Sequence, residues 1–110
     1  MAIFRSIPSK RIINGVIIET SDSSIVSEKE YTTSGEYVII TKGVEYCVIN
    51  LNHKTSDHIV IKPLTQTLVR SEKLIDEEFN EVELDKGSCV EFKFVGDSWY
   101  ILSSDGLKNS

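Results

Sequence analysis

Glu81-Val82-Glu83-Leu84-Asp85-Lys86-Gly87-Ser88-Cys89-Val90-Glu91-Phe92-Lys93-Phe94-Val95-Gly96-Asp97-Ser98-Trp99-Tyr100-Ile101-Leu102 reads as strand, turn, strand, turn, strand. Apolar residues occupy alternate positions, the period of a strand with one buried face. Val82, Leu84, Val90, Phe92, Phe94, Trp99 and Ile101 share the expected inner face, with Glu81, Glu83, Glu91 and Lys93 on the other. Gly87 and Gly96 supply the turns, and the chain's single tryptophan closes the pattern. The stretch decides an all-β fold and carries no recognisable catalytic motif.

Upstream, residues 1–11 read as an extended arm, because Pro8 opposes a helix and no period emerges. Ile12 to Glu19 is rich in β-branched residues and reads as a strand bent at Asn14-Gly15. Thr20 to Ser27 reads as a polar loop, and Tyr31 to Ser34 as a short strand. Glu36 to Lys42 and Val44 to Leu51 read as a hairpin joined at Lys42-Gly43. His58 to Lys62 is a strand ended by Pro63, Gln66 to Arg70 is another, and acidic Leu74 to Asn80 is a loop or helical turn. The expectation is a single antiparallel β-sandwich or barrel-like domain of about eight short strands over residues 12–110, preceded by the arm.

A length of 110 residues fits one domain with a modest core. No run approaches the roughly 20 apolar residues that span a bilayer. The first residues lack the pattern of a signal peptide, so synthesis in the cytoplasm and no membrane partner are expected. A net charge of −5 opposes nucleic acid as the main partner. The charge is uneven, however: Arg5, Lys10 and Arg11 give the first eighteen residues +3, which leaves −8 for the rest (−5 − 3). A short basic arm ahead of an acidic body suits an acidic protein surface as well as it suits phosphate. Cys47 and Cys89 both fall in expected strands, without the spacing of a zinc site; they pair only if those strands are neighbours.

Candidates for chemistry are few. His53 and His58 flank a polar loop with Asp57, which a metal or a base would exploit, but a solvated loop histidine explains them more simply. Asp76, Glu77, Glu78, Glu81, Glu83 and Asp85 form an acidic run without the glycine and alternation of a calcium loop. Trp99-Tyr100 invites a sugar-stacking reading, yet alternation places the two rings on opposite faces, with Trp99 in the core. Neither catalysis nor a cofactor or metal is expected. Tyr37-Val38-Ile39-Ile40 and Tyr46-Cys47-Val48-Ile49 are apolar on both faces, and such strands need cover on both sides. In a small domain a neighbouring subunit is the natural cover, so Tyr37, Ile39, Tyr46, Val48 and Tyr100 are the expected subunit interface.

The segment from Val82 to Leu102, with Gly87-Ser88-Cys89-Val90 and Gly96-Asp97-Ser98-Trp99-Tyr100-Ile101, resembles the ending of small β modules in virion proteins of tailed bacteriophages. Gly35-Glu36-Tyr37-Val38 and His58-Ile59-Val60-Ile61-Lys62 look like their earlier strands, so the resemblance covers roughly residues 35–107. It implies a structural, non-catalytic virion protein of decoration, fibre or adaptor type, usually a homotrimer and associated with other virion proteins. Ile3, Phe4, Arg5, Ile7, Lys10 and Arg11 are then the expected attachment arm. The alternative of another class is a receptor- or glycan-binding module of a tail fibre or spike, using exposed aromatics such as Tyr100 or Tyr31.

Overall fold

A computed structural model of the chain describes residues 10–13, 16–19 and 23–107, with side chains over 23–104. Every regular element described is a strand, so no helix among these residues is long and apolar enough to cross a membrane. Strands β1 (Lys10–Ile13) and β2 (Val16–Glu19) pair antiparallel as a two-stranded sheet, with Ile13 opposite Val16. The arm boundary expected at residue 11 therefore falls inside β1.

Eight further strands build the body. They are β3 (Ser23–Val26), β4 (Glu30–Thr32), β5 (Val38–Thr41), β6 (Tyr46–Leu51), β7 (His58–Pro63), β8 (Gln66–Ile75), β9 (Phe79–Val95) and β10 (Ser98–Leu107). Odd and even strands form separate parallel stacks. In the first, Ser23 lies opposite Val38 and Val38 opposite Val60, joining β3, β5 and β7. In the second, Glu30 lies opposite Val48 and Tyr46 opposite Gln66, joining β4, β6 and β8. A parallel neighbour always requires a crossover. Here each crossover is a strand of the other stack, so the chain winds as a short solenoid.

The inner faces of both stacks meet in one core. Ile39, Ile59 and Ile61 come from the first stack and Cys47, Ile49 and Val69 from the second, all without solvent exposure. Each buried residue alternates with a more exposed one along its strand, as in the buried–intermediate pattern of His58–Pro63. Side chains of this size contribute roughly 1.5–3 kcal/mol each on full burial.

β9 closes the lower end of both stacks. Val82 and Leu84 pair with Val69 and Thr67 of β8, whereas Val90 and Phe92 pair with Ile61 and Ile59 of β7. The strand changes partner between them, where Gly87 adopts φ +85° and Ser88 Oγ donates to the Asp85 carbonyl at 2.7 Å. β10 then returns along β9 after a turn with Gly96 at φ +67°, and Trp99 pairs with Ile75 as well as Phe94. The resulting order, β3-β5-β7-β9-β10-β8-β6-β4, leaves β3 and β4 as the two outer edges.

The all-β expectation holds, but the sandwich or barrel does not. Alternation reports which side of a strand is buried and says nothing about the direction of its neighbour. Lys42-Gly43 does not join a hairpin: β5 and β6 lie in different stacks, and Gly43 (φ +84°) turns the corner between them. The three expected C-terminal strands are two, because Gly87 marks a change of partner within β9. Thr20 to Ser27, expected as a loop, contains β3.

Candidate interaction surfaces

The expected inner face of the C-terminal segment is buried as foreseen. Leu84, Val90, Phe92 and Trp99 have no exposure, and Val82, Phe94 and Ile101 pack against them. Of the expected interface residues, Ile39 belongs to the core of this chain, at 0% exposure, and is not available to a neighbour. Tyr37 and Tyr46 are exposed, and Val48 and Tyr100 are half-buried. Ile3, Phe4, Arg5 and Ile7 lie outside the described residues, while Lys10 and Arg11 open β1.

The outer face of the first stack has an apolar centre. Ile25, 63% exposed, pairs with Ile40, and Val38 pairs with Val60. Lys62 follows opposite Ile40, its Nζ donating to the Gly87 carbonyl at 2.9 Å, and Lys42 lies just beyond β5. His58 and Lys93 pair at the end near Tyr37. His58 Nε2 lies 2.5 Å from Glu91 Oε2, and the Tyr37 ring meets the imidazole edge-on at 4.9 Å. Hydrogen bonds from His58 and Ser103 hold the Glu91 carboxyl below its usual range. Lys93 Nζ reaches Asp57 at 3.3 Å.

The outer face of the second stack is apolar at its centre and acidic around it. Val48 pairs with Leu68, and Tyr46 with Gln66. Lys29, Val44, Glu45, Tyr46 and Val48 line a groove of about 480 Å³. Glu30 flanks Val48 on one side, and Glu83 flanks Leu68 on the other. Burial, then the charges of Glu83 and Glu81, raise the Tyr46 phenol above its ordinary value. Arg70 lies 3.9 Å from Glu30 and 3.5 Å from Glu81.

The groups weighed for catalysis stand apart. His53 stacks on Phe94 at 4.7 Å, and His58 pairs with Glu91. Two members of the acidic run are spent on structure. Asp76 Oδ1 accepts the Ile101 N–H at 3.0 Å, and Glu77 accepts the Tyr100 hydroxyl at 2.6 Å, although both residues adopt positive φ. No three His, Cys, Asp or Glu side chains among the described residues group as metal ligands. A cleft of about 460 Å³ beside this turn holds the Lys73–Asp97 ion pair at 2.9 Å, with Tyr100 in its wall. Tyr31, half-buried, donates to Glu36.

Glu36 is the residue that the sequence reading missed. Only 5% exposed, its carboxylate accepts from Tyr31, from the Ser34 N–H at 2.8 Å and from Ser24 at 3.3 Å. These polar groups lie at the β3–β4 end, where no further coil stacks among the described residues. Of the hydroxyl-rich run Thr32-Thr33-Ser34 before it only Ser34 reaches the carboxylate, so the sequence carried no specific signal. Both cysteines are free, with Cys47 buried and Cys89 exposed.

No family model, curated protein or solved structure matches this chain.

Proposed function

We propose that the chain is a non-catalytic structural protein of a tailed-bacteriophage virion, of decoration or adaptor type, which self-associates and attaches through its basic N-terminal arm. The observation that carries this reading is the apolar centre on each outer face of the solenoid, with Ile25 63% and Tyr46 42% exposed. Isolated exposed apolar residues are ordinary, but contiguous ones on a sheet face favour burial by another protein. The charge split supports the arm's role, since a segment of +3 ahead of a body of −8 is suited to an acidic protein surface. Ile3, Phe4 and Ile7 add apolar area, and several arms on one oligomer strengthen attachment through effective concentration.

Deleting residues 2–11 tests the reading. Incorporation into virions is expected to be lost, while the native mass of the purified protein stays that of an oligomer. Normal incorporation without the arm would overturn its role, and a monomeric full chain would overturn self-association.

A further inference from the structure

We infer that copies of this chain associate heterologously, the first-stack outer face of one against the second-stack outer face of the next. The inference rests on the self-association proposed above and specifies its geometry. Both faces are apolar at the centre, Ile25, Val38, Ile40 and Val60 on one and Tyr46, Val48 and Leu68 on the other. Their rims differ in sign. Lys42, Lys62 and Lys93 border the first against Asp57 and Glu91, a net +1 (3 − 2), and among the described residues neither Lys42 nor Lys62 has a carboxylate partner. Glu30, Glu45, Glu81 and Glu83 border the second against Lys29 and Arg70, a net −2 (2 − 4), with Arg70 engaging Glu30 and Glu81.

Charge therefore chooses the pairing. First face on first face would bring lysines together, and second on second would crowd carboxylates, and like charges across an interface are strongly unfavourable. First on second sets Lys42 and Lys62 against Glu45 and Glu83 and covers both apolar centres at once. The faces lie on opposite sides of the same solenoid, so each copy both offers and accepts. Repetition of such a contact gives a closed ring when the rotation closes and an open filament when it does not.

The test uses the full chain and two variants, Lys42→Glu/Lys62→Glu and Glu45→Lys/Glu83→Lys, in analytical ultracentrifugation. Circular dichroism and thermal melting confirm that each is folded. Wild type is expected to sediment as an oligomer that weakens with salt. Each variant alone should associate about tenfold or more weakly, because its two faces now carry the same sign. An equimolar mixture should reassociate, since every face again meets its opposite. An oligomeric wild type with unaffected variants, or a mixture that stays dissociated, overturns the heterologous geometry and leaves self-association standing. A monomeric wild type removes both.

Discussion

Thr41 Oγ1 lies 2.7 Å from Thr67 Oγ1, so a hydroxyl pair ties the first stack to the second inside the core. Thr67 Oγ1 also lies 2.8 Å from the Thr65 carbonyl, which has no hydrogen to give. Thr67 therefore donates to Thr65 and accepts from Thr41. The polarity of this chain makes its two members unequal.

Thr67→Val leaves the Thr41 donor without its acceptor and is expected to cost about 1–3 kcal/mol, more than Thr41→Val. The double valine variant should recover part of that loss, since both polar partners are then gone. Urea denaturation of the three variants checks the order, and equal costs for the single changes would refute the assigned direction.

Glu36 should give the fold an acid-sensitive component. Burial pushes its carboxyl up, but hydrogen bonds from Tyr31, the Ser34 N–H and Ser24 outweigh that and hold it below the ordinary value. A folded value below the unfolded one means the stabilisation is complete above the unfolded value of about 4.3. It is lost as pH falls through the folded value. Denaturant midpoints measured from about pH 6 to pH 3 should fall less steeply for Glu36→Gln than for wild type. Glu91 and Asp97, also held low, are common to both proteins and cancel in the comparison.

Gly43 and Gly87 share nearly the same φ, +84° and +85°, yet their substitutions should differ. A Cβ on Gly87 meets nothing within 4 Å, so Gly87→Ala costs only the left-handed backbone, about 1–2 kcal/mol. A Cβ on Gly43 would lie 3.1 Å from Ser27 Oγ, so Gly43→Ala should cost more. Thermal melts of the two variants rank them. Gly43→Ala/Ser27→Gly should return towards the Gly87→Ala cost.

Trp99, with no exposure, serves as an internal reporter. Its emission should be blue-shifted in the native protein and move red on unfolding, as the chain has no other tryptophan. Trp99→Ala should cost about 3–5 kcal/mol. Trp99→Phe should cost clearly less, because the indole Nε1 has no acceptor among the described residues and its removal forfeits no hydrogen bond.

Thiol labelling should separate the cysteines. Cys89 is exposed and should react in the native protein. Cys47, buried and with its thiol raised by that burial and by Glu28, should react only on unfolding. Mass spectrometry of labelled peptides reads the difference, and equal native labelling would contradict the position of Cys47.

What could be read in advance followed from period. The run Val82 to Ile101 declared its inner face because each strand buries every second side chain. Partner and direction were illegible, since β5 and β6 obey the same alternation whether they pair with one another or with strands 15 to 22 residues away (Val38 − Ser23 = 15, Val60 − Val38 = 22). Gly43 misled for the same reason: positive φ serves a hairpin and a solenoid corner equally. The strands 37–40 and 46–49 are apolar on both faces, and which side turns inward came only from the fold. Ile39 turned inward, and Val38 and Ile40 outward. Glu36 was hidden because a lone glutamate beside glycine resembles any surface residue until Tyr31, Ser24 and Ser34 converge on it.

The change of partner within β9 sets an order of events during synthesis. β3 to β8 emerge from the ribosome first, and their coils can stack as they appear. The second stack can take residues 81–84 of β9 as they appear, but the first has no partner there until the residues beyond Gly87 have left the exit tunnel, because one strand must reach both. Through that interval the nascent body is open at its lower end, and β9 with β10 acts as the lid that ends the exposure of that end to aggregation.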